Sequence, residues 1–358
     1  MVVSSLVRRG MELASDMPMN SKDPEGPSIH LSGWLAGLFV FSVLAFLFVV
    51  FSIEYTFGMV VATLAAIEQT DPDIYIRVDT LDPSKGPDEP VGRPQPITSK
   101  LRTAIKHLRN RAGFWSRFRG FGAFITYALA QGFLYSILPV SITNFAGQLA
   151  ARIIVGMALA NLDLTWVHIV ISEPSPKRFY QRIPGYKSWL KFAPVVAFEQ
   201  CAVCAAFYIP LLIAGAAGAL DELDMDPNAD LPPVRIMSRA AMSIAIPCLL
   251  AGLVAIPARA ITIRVAASML PEEDEAIVPF DRSYGGKVVP AILGGSGKLG
   301  IKDAWTTFDG PARIRYLKVI GKAVVMEYAA TILFSLVLGG QIYAGALSYG
   351  VRRGEGNA

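Results

Sequence analysis

The stretch "LSGWLAGLFVFSVLAFLFVVFSI" (Leu31–Ile53) carries no charged side chain and no proline. A helix needs roughly 20 mainly apolar residues to cross a ~30 Å hydrocarbon core. A helix that is apolar all round has no face to offer water and must be buried in protein or lipid. Comparable runs follow at Gly120–Val140, Phe145–Ile171, Phe192–Leu220, Ala240–Ile263 and Ala323–Tyr349. Six spans are therefore predicted, and the expected fold is an all-α, polytopic transmembrane helix bundle. Composition agrees, since 17% of residues are charged against about 25% in soluble domains.

The first run holds an ambiguity. After Glu54 the apolar character continues through "YTFGMVVATLAAI" to Ile67. A helix over 31–67 would be about 55 Å long, so it projects beyond the bilayer or divides into two short spans, giving seven. No proline or Asn-Gly turn marks a break, which favours one long helix. Residues 1–30 read as a disordered N-terminal segment, 31–349 as one transmembrane domain and 350–358 as a tail. The N-terminal residues lack the apolar core of a cleavable signal, and Glu12 and Asp16 argue against a mitochondrial presequence.

Charge sets the expected orientation. With six spans, the loops at 68–119, 172–191 and 264–322 share one side and hold about threefold more Lys and Arg than the segments of the other. That side is expected to be cytoplasmic, with both termini lumenal or extracellular; plasma membrane and endomembrane both fit. Within the first of these loops, residues 71–96 are rich in Pro and acid and read as extended. Residues 99–112, "SKLRTAIKHLRNRA", instead place Leu101, Ala104, Ile105, Leu108 and Ala112 on one helical face. Lys100, Arg102, Lys106, Arg109 and Arg111 flank that face, and Ser99 is the expected N-cap. This is the pattern of a basic amphipathic helix lying on anionic lipid headgroups; the alternative is a solvated helix packed on another loop. Nucleic acid is not an expected partner for a chain with six spans, and protein partners are left open.

Ionisable residues inside spans are costly and usually face protein or one another. Here they are Glu54, Arg152, Asp163, His168, Glu199, Arg259 and Glu327. Arg152 and Asp163 are eleven residues apart, nearly one helical face. They are expected to pair with carboxylates on other helices, such as Glu199 or Glu327. Glu54, Arg152, Asp163, Glu199 and Glu327 are thus the candidate lining of an intramembrane polar pathway, and buried ion pairs that fix helix register are the other reading. The Glu-Tyr pairs of "IEYTF" (53–57) and "MEYAA" (326–330) match too briefly to argue a repeat. Small residues at Ala128 with Gly132, Gly340 with Ala344, and "AGAAGA" (214–219) read as close helix contacts.

Other motifs fail on inspection. "CAVC" (201–204) lacks a second ligand pair for zinc. The acidic stretch "DELDMDPNADLPPVR" lacks the spacing of a calcium loop. "GGKVVPAILGGSGKLG" (285–300) has Ile292 and Leu299 where a phosphate loop needs Gly and Ser or Thr. No catalytic set, metal site or cofactor motif is found, so a non-enzymatic protein is expected. Trp166 and His168 are expected near the interface, with Glu173-Pro174-Ser175-Pro176 ending the helix.

In "TWVHIVISEPSPKRFYQRIP", "LSGWLAGLFVFSVLAFLFVVFSIEYTF" and "FWSRFRGFGAF" the chain resembles a family of fungal multi-pass membrane proteins. Some members of that family are automatically labelled "ubiquitin carrier protein". A ubiquitin-conjugating enzyme would be a soluble α/β domain with a His-Pro-Asn motif before its Cys. This sequence has neither, so no active site carries over. Two functions remain: movement of a small solute, ion or proton along a polar pathway, or a non-enzymatic scaffold that binds lipids or partners through basic loops.

Overall fold

A computed structural model describes residues 33–69, 96–138, 145–216, 233–289 and 293–355. The expectations for 1–30, for most of 71–96 and for the acidic stretch up to 232 lie outside them. In chain order the main helices are α1 (Gly33–Ile67), α2 (Leu101–Ala112), α3 (Phe121–Ile137), α4 (Phe145–Ala158), α5 (Ala160–Ile171), α6 (Tyr186–Ala216), α7 (Pro233–Ser268), α8 (Ile301–Thr306) and α9 (Gly310–Glu355). Among the described residues the only β-pairing is an isolated bridge between Ser172 and Ala276. Five helical segments are long and apolar enough to cross a membrane, or six when the bent pair α4–α5 counts as one span. The chain is an all-α polytopic membrane protein.

The molecule has two layers, and α1 passes through both. Its first 21 residues, Gly33–Ile53, would measure about 31 Å, which matches the hydrocarbon core. Leu38, Val40, Phe41, Leu44, Leu47 and Phe48 are exposed there; with no protein over them, lipid is their solvent. From Tyr55 onward the helix enters protein, and Val60, Val61, Leu64 and Ile67 are buried. The single long helix is therefore present. The change of surroundings coincides with a π-helical stretch, Glu54–Val61. The Glu54 carboxyl folds over Gly58 in it, where a Cβ would lie 2.9 Å from that carboxyl and push it aside.

The second layer is built from the helix ends beyond the lipid-exposed zone together with α2, α8 and the loops. Its core joins Leu64 and Ile67 of α1, Leu108 of α2, Leu164, Val167 and Ile171 of α5, Phe192 of α6, Ile263 of α7, and Leu299 and Phe308. Each such side chain contributes about 1.5–3 kcal/mol by leaving water. Polar groups in this layer are closely accounted for. Arg264 of α7 is 1% exposed. Its guanidinium donates to the carbonyls of Ala66 (3.0 Å), Ala304 (2.9 Å) and Thr307 (3.1 Å) and to the Thr307 hydroxyl (3.0 Å). The rings of Tyr284 and Phe308 enclose it at 4.8 and 4.9 Å. The last carbonyls of a helix have no intrahelical partner, and one side chain supplies donors to the ends of α1 and α8 together. At the same place the Glu68 carboxylate accepts from the amides of Ile97 (2.6 Å) and Thr98 (3.0 Å) and faces Arg315 of α9 at 3.8 Å.

Two expectations change here. The apolar face of α2 does not lie on lipid, because Ala104 and Leu108 are buried in the protein core. His107 Nε2 also meets the Ile277 carbonyl oxygen at 2.8 Å. The N-cap is Lys100 rather than Ser99, which belongs to a preceding 3-10 turn. Trp166 and His168, expected near the interface, are buried in protein. The Trp166 indole donates to the Tyr55 hydroxyl at 3.2 Å, and a His168 ring nitrogen meets the Ala266 carbonyl at 2.9 Å. Helix α5 does end before the Glu-Pro-Ser-Pro segment, at Ile171.

Candidate functional site

Helices α5, α6 and α7 meet where lipid-exposed surface gives way to packed core. Asp163 stands in the first turn of α5, where the helix N-terminus favours negative charge. Both of its carboxylate oxygens accept from Arg259 of α7, at 2.8 and 2.9 Å. The same guanidinium lies 3.7 Å from Glu199 of α6 and 5.8 Å from the centre of the Trp166 ring. A planar fork matches a carboxylate in two parallel bonds, so Asp163 is the primary partner and Glu199 the secondary one. With two carboxyl groups on one guanidinium, the cluster is neutral only when it takes up one proton or one monovalent cation.

The five residues expected to share one pathway are divided into three groups. Asp163 and Glu199 are brought together, but by Arg259, which the sequence reading did not place at the centre. Glu54 and Glu327 face each other across α1 and α9, within electrostatic reach of one another. Arg152 stands apart. The chain bends by 56° between α4 and α5, at Leu159, so the common face expected for Arg152 and Asp163 is interrupted between them. This facing pair is formed by the Glu residues of the "IEYTF" and "MEYAA" segments, a juxtaposition that two matching residues were too few to announce.

One stripe links the separated groups. Tyr127, Gln131 and Tyr135 recur every four residues on α3, which lines them along one face. Tyr127 interacts electrostatically with Asp163, Arg259 and Glu199. Tyr135 hydrogen-bonds Gln131 and faces Arg152. Around Arg152 lies a cavity of about 470 Å³, lined by Ala128, Gln131, Gly132, Tyr135, Gln148 and Arg152. Ala128 and Gly132 do not serve close helix packing, since a Cβ on Gly132 would meet nothing within 4 Å. Their small size leaves a crevice between α3 and α4.

The basic residues of α2 form a separate surface. Lys100, Arg102, Lys106, Arg109 and Arg111 are all exposed. Arg111 reaches Glu173 at 3.7 Å, and Arg109 and Arg117 stack on Phe114 at 5.3 and 5.9 Å. Phe114 is 57% and Trp115 74% exposed. A second cavity of about 420 Å³ beside them is lined by Trp115, Phe118, Arg119, Phe179 and Arg182 among others. Its cations are engaged: Arg119 donates to the Ile169 carbonyl (2.9 Å) and Arg182 to Asp274 (2.9 Å). Among the described residues no group of three or more His, Cys, Asp or Glu side chains is placed to hold a metal. Cys201 and Cys204 are free thiols, one exposed and one buried.

No protein-family model matches the chain, and no curated protein matches it.

Proposed function

We propose that this membrane protein moves a proton or another small charged solute through the bundle along α3. The supporting observation is the stripe of Tyr127, Gln131 and Tyr135, which leads from the Asp163–Arg259–Glu199 cluster at one boundary of the lipid-exposed zone to Arg152 near the other. Hydroxyl and amide groups both donate and accept, as a relay through hydrocarbon requires. The cluster's one uncompensated carboxyl provides a place where a proton or cation is taken up. Intramembrane ionisable groups with named partners are the usual mark of such a route. The positively charged loops are assigned to the cytoplasm in this reading, and the termini to the opposite side.

The test is flux into reconstituted vesicles carrying a pH-sensitive or ion-sensitive dye. Wild-type protein is expected to dissipate an imposed gradient, and Gln131→Leu to slow that by at least about tenfold with an unchanged thermal midpoint. Equal rates in both proteins, or no flux in either, would overturn the proposal. The scaffold reading is favoured by one different observation: exposed Phe114 and Trp115 beside the basic face of α2. It predicts that replacing Lys106, Arg109 and Arg111 with Glu weakens an interaction with anionic liposomes, without touching flux.

A further inference from the structure

Arg259 serves two carboxyl groups unequally. Its fork is spent on Asp163, which takes both parallel bonds at 2.8 and 2.9 Å. Glu199 is left 3.7 Å from the same guanidinium, beyond the reach of a direct hydrogen bond. Its side chain is nevertheless only 13% exposed. It is the fourteenth residue of α6, roughly 20 Å from the helix start. Besides Arg259 and Asp163, the titratable groups that face this cluster are the phenols of Tyr127 on α3 and Tyr316 on α9. Neither phenol brings a positive charge. Thr262 of α7 stands beside Glu199, and its hydroxyl donates to the Ala258 carbonyl at 3.2 Å. With that proton committed, the Thr262 oxygen offers Glu199 an acceptor, which a protonated carboxyl can use and a carboxylate cannot.

We propose that Asp163, by holding the Arg259 fork, makes the Glu199 carboxyl a proton-binding site, and that the ion taken up there is a proton rather than a metal cation. An ionised Glu199 sets one cation against two anions in a poorly solvated place, which is costly. Adding a proton to one Glu199 oxygen forms an O–H bond, removes the excess charge and leaves the Asp163–Arg259 pair intact. A metal cation instead needs several oxygens around it. Here the guanidinium fills the space that both carboxyls face, and among the described residues no third acidic, His or Cys side chain joins them. This proton names the ion of the proposed pathway and so rests on that reading. Its binding is read at equilibrium, however, whether or not anything crosses.

The test is infrared difference spectroscopy on the full chain in nanodiscs at neutral pH, read at the carbonyl stretch of an un-ionised carboxyl. Wild type minus Glu199→Gln is expected to show one such band, which moves down when glutamate carries heavy-carbon carboxyls. Asp163→Asn is expected to lose the same band, because the freed guanidinium then neutralises Glu199. Glu272 is exposed, and Glu272→Gln serves as the unaffected control. Thermal midpoints check that each variant is folded. The absence of any un-ionised glutamate carboxyl in the wild type overturns the proposal without recourse to a variant. A band that survives in Glu199→Gln or Asp163→Asn overturns it too, as does one that sodium or potassium ions displace. A loaded Glu199 in a protein that shows no flux keeps the site and removes only the transport reading.

Discussion

Arg264 and Arg152 carry the same group in opposite settings, and the contrast describes the two layers of the molecule. Arg264 is enclosed by two rings and spends its donors on helix-terminal carbonyls. Arg152 is exposed and lines an open crevice beside α3. The packed layer consumes its polar groups to hold helix ends together. A polar group in a protein interior is expensive unless it is met, so the enclosed guanidinium is fully engaged, a demand the exposed one is spared.

That contrast can be broken, most severely at Arg264. Arg264→Met keeps the apolar stem but strands three carbonyls and a hydroxyl, and should cost about 3–5 kcal/mol of stability, read by denaturant unfolding in detergent. A loss below about 1 kcal/mol would show that the packed layer does not depend on this residue. Next is Leu108→Ala, expected to cost about 3 kcal/mol because α2 is docked on protein; an α2 resting on lipid would lose little. Asp163→Asn should cost about 2 kcal/mol by leaving Arg259 with the more distant Glu199 alone, and Glu199→Gln clearly less. Glu327→Gln should be silent within about 0.5 kcal/mol, since a neutral isostere relieves the approach of two carboxyls. A large loss there would mean that the Glu327 carboxyl itself is needed at this contact.

The smallest effect is a pH dependence in the packed layer. Burial pushes the Asp281 carboxyl up. The Gly285 amide, the Ser283 hydroxyl and the Ser283 amide outweigh it and hold the group below its usual value. A folded pKa below the unfolded one gives stability that is present above the unfolded value, about 3.9, and lost as pH falls through the folded one. Asp281→Asn should flatten that acid limb slightly in a pH series of thermal midpoints.

The spans were legible in the sequence because hydrocarbon demands length and apolarity together. The packed layer was not. Leu64, Val167 and Ile263 look the same to composition whether lipid or protein covers them, so α1 and α5 pass from one to the other without a written sign. The break at Leu159 has neither Pro nor Gly beside it, and it severs the spacing that joined Arg152 to Asp163. Arg259 stood among the charged residues of the spans, but nothing local says that one guanidinium will meet carboxylates from two other helices. The basic face of α2 was readable from spacing, whereas the destination of its apolar face depended on segments far away in the chain.

Helix α9 runs unbroken over 46 residues, Gly310–Glu355, about 69 Å at 1.5 Å per residue. Its base is clamped in the packed layer, where Arg315 meets Glu68 and the Tyr316 hydroxyl donates to the Ile256 carbonyl at 3.3 Å. Higher up, Gln341 donates to Ser42 of α1 at 2.7 Å. A rod so held is a lever: a 5° tilt at the base would displace its far tip by roughly 6 Å. Whatever loosens the clamp on one side of the bilayer is thereby announced on the other.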